Sequence, residues 1–243
     1  MHNYVAFSGG IDSTALALCC PDATPIFTDT QWEHAELYAH IDRFEAVTGR
    51  HVLRIQSPYP GGLPGYIRDR AYFPTHGARF CTRLFKIEPL NAFLKDHRPA
   101  EVAIGLRADE PLRVGNLSEI EAVTFTYPLR QRGMDRAACV ALCVTHDLLP
   151  RYPVYMARGG CKGCFFKRSS EVTALLSLQP TIANELEALE EDVQDARSRY
   201  FVMFANTGQS IRELRKQPLL FDSREVFSMG AHDPAPCGVF CHR

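Results

Sequence analysis

Short apolar runs alternate with amphipathic stretches through the first half of the chain. The runs at residues 5–7, 24–28, 51–55, 102–106 and 123–126 predict β-strands. Between them, residues 33–48 and 88–97 have the helical period, the first ending at Gly49 and the second with Pro89 near its start. Strands that alternate with helices predict an α/β fold with a twisted, mainly parallel sheet of about five strands.

The pattern changes in the second half of the chain. Residues 135–148 and 169–191 predict helices, whereas the Pro and Cys of the tail from Gly230 follow no period. Residues 57–74, rich in Pro and Gly, predict either a mobile flap over a site or a disordered spacer. We therefore expect an α/β domain of residues 1–155 and a helical, cysteine-bearing extension of residues 156–243.

Composition narrows the class of protein. With 243 residues, 46% of them hydrophobic, the chain is large enough for a substantial core. No apolar run reaches the roughly 18 residues of a membrane span and the start does not read as a signal peptide, so we expect a cytoplasmic protein without membrane contact. The net charge of -1 argues against a dedicated nucleic-acid binder but leaves room for a local basic patch.

A glycine-rich turn is the most informative local feature. Residues 7–13 read FSGGIDS and lie between a predicted strand and a predicted helix. Backbone N–H groups of such a turn and of the helix N-terminus converge on one point, which favours an anion, above all phosphate. It is not a Walker loop, because the Gly-Lys-Ser/Thr ending is absent. The alternatives are that the glycines serve only tight packing and that Asp12 only caps the helix.

Further blocks follow the loop in order: Phe27-Thr28-Asp29-Thr30 with Glu33-His34, then residues 81–90, CTRLFKIEPL, and residues 105–110, GLRADE. With the loop, they resemble the ATP pyrophosphatase (PP-loop) superfamily, in its phosphoadenosine phosphosulfate reductase-like branch, which includes DNA-phosphorothioation sulfur-transfer proteins and phage proteins. The resemblance implies an adenine nucleotide alpha hydrolase-like fold that attacks ATP at its α-phosphate and releases pyrophosphate.

The resemblance also implies the residues of the site. The cofactor-binding set would be Ser8, Gly9, Gly10, Asp12, Ser13, Asp29 and Arg107, and the catalytic set Asp12, Arg83, Lys86 and Cys81. The two arginines and the lysine would contact phosphate or substrate, unless they are solvated surface charges. Asp29 would contact ribose or adenine, unless it only forms a turn. Intact Gly10 and Asp12 favour Mg²⁺ and cleavage of ATP itself over binding of an already adenylated sulfate.

The nine cysteines are more often metal ligands, redox groups or core residues than disulfides in a cytosolic chain. Cys161-x-x-Cys164 has the spacing of a metal-binding pair. By resemblance, Cys81 would join it in a 4Fe–4S cluster whose fourth ligand is Cys237 or Cys241, or whose fourth iron stays open. A zinc site formed by Cys161, Cys164, Cys237 and Cys241 is the rival. Cys19, Cys20, Cys139 and Cys143 are predicted to be core residues.

The predicted function is adenylation of an acceptor that then receives sulfur. The acceptor would be nucleic acid, with the DNA backbone favoured over a tRNA base, and the sulfur would come from a cluster or from a cysteine desulfurase partner. One alternative is a phosphoadenosine or adenylyl sulfate reductase that uses a C-terminal cysteine. Another is a non-catalytic nucleotide-binding subunit. Sequence leaves the oligomeric state open.

Overall fold

The computed structural model describes residues 1–113, 119–157, 159–197 and 201–217. Its centre is a five-stranded sheet of order β3-β2-β1-β4-β5, in which every neighbouring pair is parallel. The strands are β1 (His2–Ala6), β2 (Thr24–Asp29), β3 (Leu53–Gln56), β4 (Ala100–Ala103) and β5 (Val123–Thr126). The predicted α/β fold with a parallel five-stranded sheet is confirmed.

Helices connect the strands and form the C-terminal part of the chain. They are α1 (Ile11–Cys19), α2 (Ala35–Thr48), α3 (Gly62–Arg70), α4 (Phe80–Thr82), α5 (Glu88–Asp96), α6 (Pro128–Gln131), α7 (Arg136–Thr145), α8 (Ser169–Leu178), α9 (Pro180–Arg197) and α10 (Ile211–Arg215). A π-helical segment, Arg83–Ile87, joins α4 to α5. Within the described ranges, no helix combines the length and the apolar character that crossing a membrane requires.

Several predicted elements have different bounds in the structure, and two of them have a clear physical reason. The strand expected at residues 102–106 begins and ends earlier, at Ala100–Ala103, although the Ile104 N–H still donates to the Thr126 carbonyl at 2.8 Å. The single helix expected at residues 169–191 is two helices, because Gln179 leaves the helical region with φ -126° and ψ 74° and Pro180 starts α9. Proline has no N–H to continue a helical ladder, so it begins a helix more easily than it extends one.

The loop predicted at residues 57–74 is wrong over its middle, which is α3. Gly61 and Gly62 have φ values of 70° and 61° and turn the chain into the helix, and Pro64 fits in its first turn. Leu63 and Ile67 are then buried. The Pro and Gly residues that indicated an irregular segment therefore start a helix whose apolar face joins the core, and a disordered spacer is excluded here.

Among the described residues, three groups of buried side chains stabilise the fold. Val5 and Tyr4 point to opposite faces of the sheet, the first toward α1, α2 and α7 and the second toward α5. Cys139 and Cys143 belong to the first group, as predicted. The third group joins Trp32 and Leu63 to residues of α8, α9 and α10. Because this core draws on both sides of residue 155, the domain boundary proposed there stays a prediction.

Candidate active site

The turn between β1 and α1 is held by its own hydroxyl groups. Ser8 Oγ donates to Ser13 Oγ at 3.1 Å, and Ser13 Oγ donates to the Gly10 carbonyl at 3.0 Å. Gly10 is the N-cap of α1, with an extended backbone. The first N–H groups of a helix have no intrahelical partner, so this fixed turn presents donors and the positive end of the helix dipole to an anion.

Gly9 is required by the packing of the turn. It has a φ of +70°, and a Cβ at this position would lie 2.3 Å from Leu37 Cδ1. Its carbonyl accepts a hydrogen bond from the Tyr152 hydroxyl at 2.8 Å. The turn is thus pressed between α2 and the segment that follows α7.

A cavity of about 160 Å³ opens beside this turn, at the carboxyl ends of the central strands. This is the edge at which open parallel sheets bind ligands. Its charged lining residues are Asp12, Glu33, Lys86, Arg113 and Arg136, and Ser8, Gly10, Ser13, Tyr152, Gly159 and Gly160 are among its other lining residues. Cations and carboxylates therefore share one wall with the glycine turn.

Asp12 is the carboxylate next to the turn. Its Oδ2 accepts a hydrogen bond from Arg107 Nη1 at 2.7 Å, and its Oδ1 lies 3.7 Å from Arg136 Nη1. Among the residues that the structure describes, none donates a hydrogen bond to this buried Oδ1. Burial raises the pKa of Asp12 more than the two arginines lower it. Asp12 does not cap the helix, because Gly10 holds that position.

Arg107 donates a hydrogen bond to Asp12. Besides Asp12, it contacts Asp109, at 2.9 Å, and Glu110, at 3.5 Å. Burial alone lowers the pKa of Arg107, but these three carboxylates together raise it, so the guanidinium stays charged. Arg107 is not one of the described residues that line the cavity. It holds Asp12 through this hydrogen bond, and its predicted contact with a phosphate stays a prediction.

The other residues predicted to contact the nucleotide or substrate lie in different places. Lys86 lines the cavity, whereas Arg83 is exposed and pairs with Glu88 at 2.8 Å. Asp29 is buried at the end of β2, where its oxygens accept hydrogen bonds from Gln31 N, Tyr38 Oη and Gln56 Nε2 at 2.7, 2.7 and 3.0 Å. The structure thus keeps Lys86 at the site and gives Asp29 the hydrogen bonds of a turn-forming residue.

The Cys-x-x-Cys segment forms part of the same wall. Glu33 and Cys161 form an antiparallel bridge, the His34 N–H donates to the Gly160 carbonyl at 3.3 Å, and the Lys162 N–H donates to the Trp32 carbonyl at 3.0 Å. A Cβ on Gly163 would lie 2.2 Å from the Trp32 ring. The glycines therefore let this segment close against the residues that follow β2.

The predicted metal ligands do not assemble into a site in the described part of the chain. Cys161 Sγ donates to Glu33 Oε1 at 3.5 Å and lies 3.4 Å from Thr30 Oγ1. Cys81 Sγ lies 4.0 Å from Thr82 Oγ1. Within residues 1–113, 119–157, 159–197 and 201–217, no three His, Cys, Asp or Glu side chains are grouped to hold a metal ion. Cys237 and Cys241 lie outside the described residues.

Among the polar residues that line the cavity, sequence reasoning missed Arg113, Arg136 and Tyr152. Arg136 carries a weak signal, since a cation in the first turn of a helix opposes the helix dipole and so needs another reason to be there. No pattern marks Arg113 or Tyr152, which reach the cavity only through the tertiary fold. Glu33 belongs to one of the sequence segments that carry the family resemblance, but the sequence assigned it no role.

Comparison with known proteins places the chain. The family model for the phosphoadenosine phosphosulfate reductase domain matches residues 2–124, just over half of the 243 residues. Among solved structures, phosphoadenylyl-sulfate (PAPS) reductase from Candida auris, in a phosphate complex, is 17% identical over 60% of this chain and 74% of that chain, with a TM-score of 0.46. No curated protein matches the chain. On the family match, the chain belongs to the phosphoadenosine phosphosulfate reductase domain family.

Proposed function

We propose that this protein is an ATP pyrophosphatase that adenylates an acceptor for sulfur incorporation. ATP binds with its phosphates at the turn of residues 8–13. An acceptor oxygen attacks the α-phosphorus, the bond from this phosphorus to the bridging oxygen breaks, and pyrophosphate leaves. A sulfur nucleophile then displaces AMP from the adenylated acceptor.

The observation that carries this proposal is Asp12 Oδ1. It is a buried carboxylate oxygen beside the turn, and no described residue donates a hydrogen bond to it. A hard oxygen donor in this position suits Mg²⁺, which would offset charge on the departing pyrophosphate. Arg107 holds the other oxygen at 2.7 Å and so fixes the carboxylate. An enzyme that only binds an adenylated sulfate has no need of such a group.

Three cations on the cavity wall also support a polyphosphate ligand. Lys86, Arg113 and Arg136 line the cavity with the turn, against the two carboxylates Asp12 and Glu33. Lysine supplies a flexible point charge and arginine a planar fork, both suited to phosphate oxygens. Their positions on separate elements would let them contact different phosphates of one nucleotide.

Asp12→Asn tests the proposal, with Asp109→Asn as its matched control. Both aspartates contact Arg107, but Asp109 is not one of the described lining residues. We expect Asp12→Asn to lower pyrophosphate release from ATP and Mg²⁺ by about 100-fold or more while ATP still binds, because it removes charge at the departing group. Asp109→Asn should stay within about threefold of the unmodified protein.

Pyrophosphate and phosphate are measured separately, and ATP binding by calorimetry. Release of phosphate in place of pyrophosphate would contradict the proposal, as would full pyrophosphate release by Asp12→Asn. Binding of ATP without any release, also when duplex DNA or tRNA is supplied as acceptor, would favour a non-catalytic nucleotide-binding subunit.

The acceptor and the sulfur donor rest on the sequence resemblance. Nucleic acid is the proposed acceptor, with the DNA backbone before a tRNA base, and a cysteine desulfurase is the proposed donor. The intact glycine turn supports the adenylation step common to these reactions. At a net charge of -1, binding of a nucleic acid would depend on a local patch rather than on bulk charge.

No step of this proposal passes through a metal cluster. Among the described residues no group of three metal ligands is formed, and Cys161 lies against a carboxylate and a hydroxyl. A 4Fe–4S cluster that includes Cys237 or Cys241, and the rival zinc site, stay predictions.

The second candidate is reduction of a sulfonucleotide, which the family match favours directly. The same three cations suit the phosphates of phosphoadenosine phosphosulfate. Under this reading the protein binds that nucleotide in preference to ATP and forms sulfite with thioredoxin, and Cys237 or Cys241 supplies the attacking sulfur. Calorimetry measures the affinities for ATP and for phosphoadenosine phosphosulfate. Tighter binding of ATP supports the first candidate, and tighter binding of phosphoadenosine phosphosulfate supports the second.

A further inference from the structure

We propose that Glu33 binds the ribose hydroxyls of the nucleotide and excludes adenine nucleotides that carry a 3′-phosphate. This inference rests on the proposed nucleotide site and names the class of nucleotide that it accepts. It concerns the residue that follows β2 on the cavity wall, to which no other role has been assigned.

Glu33 has an unused acceptor in a buried position. Only 3% of the residue is exposed. Its Oε1 accepts a hydrogen bond from Thr30 Oγ1 at 2.8 Å and another from Cys161 Sγ at 3.5 Å. Its Oε2 is buried, and no residue in the described ranges donates to it. A buried carboxylate oxygen without a donor is costly, so a ligand that brings a hydroxyl donor would be favoured there.

The position of Glu33 in the sheet selects the ribose as that donor. The glycine turn follows β1, Glu33 follows β2, and the two strands are direct neighbours. Neighbouring strands lie about 4.8 Å apart. In dinucleotide-binding sheets of strand order 3-2-1-4-5-6, phosphates lie on the turn after the first strand, and an acidic residue about 20 residues further on accepts a hydrogen bond from a ribose hydroxyl. The sheet here has the same order over its five strands. Both the turn and Glu33 line one cavity, so one nucleotide can reach both.

Asp29, the other acidic residue at the end of β2, is already occupied. Its Oδ1 accepts hydrogen bonds from Gln31 N and Tyr38 Oη, and its Oδ2 accepts one from Gln56 Nε2. Asp12, the remaining lining carboxylate, lies in the first turn of α1 on the phosphate side. Glu33 is thus the carboxylate that the fold places one strand away from the phosphates.

The backbone holds Glu33 in place from both sides. Trp32 and His34 pair with Lys162 and Gly160 through backbone hydrogen bonds. Glu185 accepts hydrogen bonds from Trp32 Nε1 at 2.8 Å and from Lys162 Nζ at 2.7 Å. A carboxylate fixed in this way cannot easily turn away from an unsuitable ligand.

Selection follows from the charge of the carboxylate. A 3′-hydroxyl can donate to Glu33, whereas a 3′-phosphate has no such donor and brings negative charge against a buried anion. Lys86 lines the same cavity and would attract a phosphate. The preference between two nucleotides that differ only in the 3′-phosphate therefore reports whether Glu33 or Lys86 faces the ribose.

AMP and adenosine 3′,5′-bisphosphate form that matched pair, and calorimetry measures their affinities. We expect the unmodified protein to bind AMP about tenfold more tightly or better, and Glu33→Gln to narrow the ratio to within about threefold. Glu36→Gln removes the same charge three residues away, at a position that is not among the described lining residues, and should leave the ratio unchanged. A purely structural role of Glu33 would shift both affinities together.

Equal or tighter binding of the bisphosphate by the unmodified protein would overturn the inference, as would an unchanged ratio in Glu33→Gln. Pyrophosphate release from ATP would persist in either case, and the proposed function would stand. Failure of every adenine nucleotide to bind would overturn both. If Glu33→Gln does not fold, the unmodified protein decides with ATP and 3′-deoxy-ATP, for which equal affinity would overturn the inference.

Discussion

The two glycines of the turn, Gly9 and Gly10, have different structural roles. Gly9 has a φ of +70° and no room for a Cβ, because Leu37 Cδ1 would lie 2.3 Å away. Gly10 has an ordinary φ of -85°, and a Cβ there would meet only Ser8 Oγ, at 3.7 Å. Gly10 lines the cavity, so its missing side chain leaves space for a ligand. Sequence shows a glycine pair, but only packing separates the structural glycine from the one that faces the site.

Gly9→Ala should therefore destabilise the protein more than Gly49→Ala. Gly49 has a φ of +67°, almost the same as Gly9, but a Cβ there would have nothing within 4 Å. Gly49→Ala should cost about 1 kcal/mol from backbone strain alone. Gly9→Ala adds a clash with Leu37 and should cost roughly 1 to 3 kcal/mol more.

Urea unfolding measures the free energy of unfolding of each variant. ATP binding should weaken in Gly9→Ala but not in Gly49→Ala. Equal losses of stability in the two variants would show that Leu37 yields without cost.

Residue identity predicted Lys86 at the site but not the fate of Arg83. In a regular α-helix, residues three apart lie on the same face, and both would face the cavity. Arg83 and Lys86 instead lie in the π-helical segment Arg83–Ile87, whose wider turn alters that spacing. Lys86 lines the cavity, and Arg83 pairs with Glu88. No propensity rule indicates such a segment from one sequence.

At the scale of secondary-structure elements, α2 contacts both sides of the glycine turn through His40, which reaches α1 and Phe7. His40 Nε2 and Thr14 Oγ1 share a hydrogen bond of 2.9 Å between α2 and α1, and the His40 ring stacks on Phe7 with centroids 6.5 Å apart. Burial, helped by Arg43, lowers the pKa of His40 to about 4. The imidazole in this contact is therefore uncharged at neutral pH.

Acid should destabilise the folded protein, because it charges the buried His40 imidazole. The pKa of His40 falls from 6.5 to about 4 on folding, so between these values the unfolded chain binds a proton that the folded chain does not. The free energy of unfolding should then fall as the pH falls through this window, by at most about 1.4 kcal/mol per pH unit from His40. Buried His34, whose pKa is lowered to about 3, adds to the same trend.

Urea unfolding at several pH values between 5 and 7 measures the slope. His40→Gln should reduce it, and His146→Gln, which removes an exposed imidazole at the end of α7, serves as the control. Parallel slopes for the unmodified protein and His40→Gln would contradict the assignment.

At the scale of the whole molecule, the site combines two distant parts of the chain. The sheet half supplies the turn, Asp12 and Lys86, which strand order and known blocks could predict. The segment at residues 159–164 reaches the cavity by pairing with residues 32–34, and Tyr152 donates to Gly9. Such long-range pairing leaves no period in the sequence. The Cys-x-x-Cys could therefore be recognised as a motif, but its position beside the cavity could not be predicted.

Binding of a nucleotide should therefore slow the modification of Cys161. Gly159 and Gly160 line the cavity, and Cys161 is bridged to Glu33 on the same wall, so a bound nucleotide would cover the approach to the thiol and hold the segment closed. N-ethylmaleimide labelling, followed by mass spectrometry of each cysteine, measures the rate with and without ATP and Mg²⁺.

Cys20 is the internal control, because it follows the far end of α1, roughly 13 Å from the turn by the rise of the helix. We expect labelling of Cys161 to slow about tenfold at saturating ATP while labelling of Cys20 does not change. Equal rates at Cys161 with and without bound ATP would show that the cysteine segment and the nucleotide occupy separate sites, and would remove the structural link between adenylation and any sulfur chemistry at Cys161.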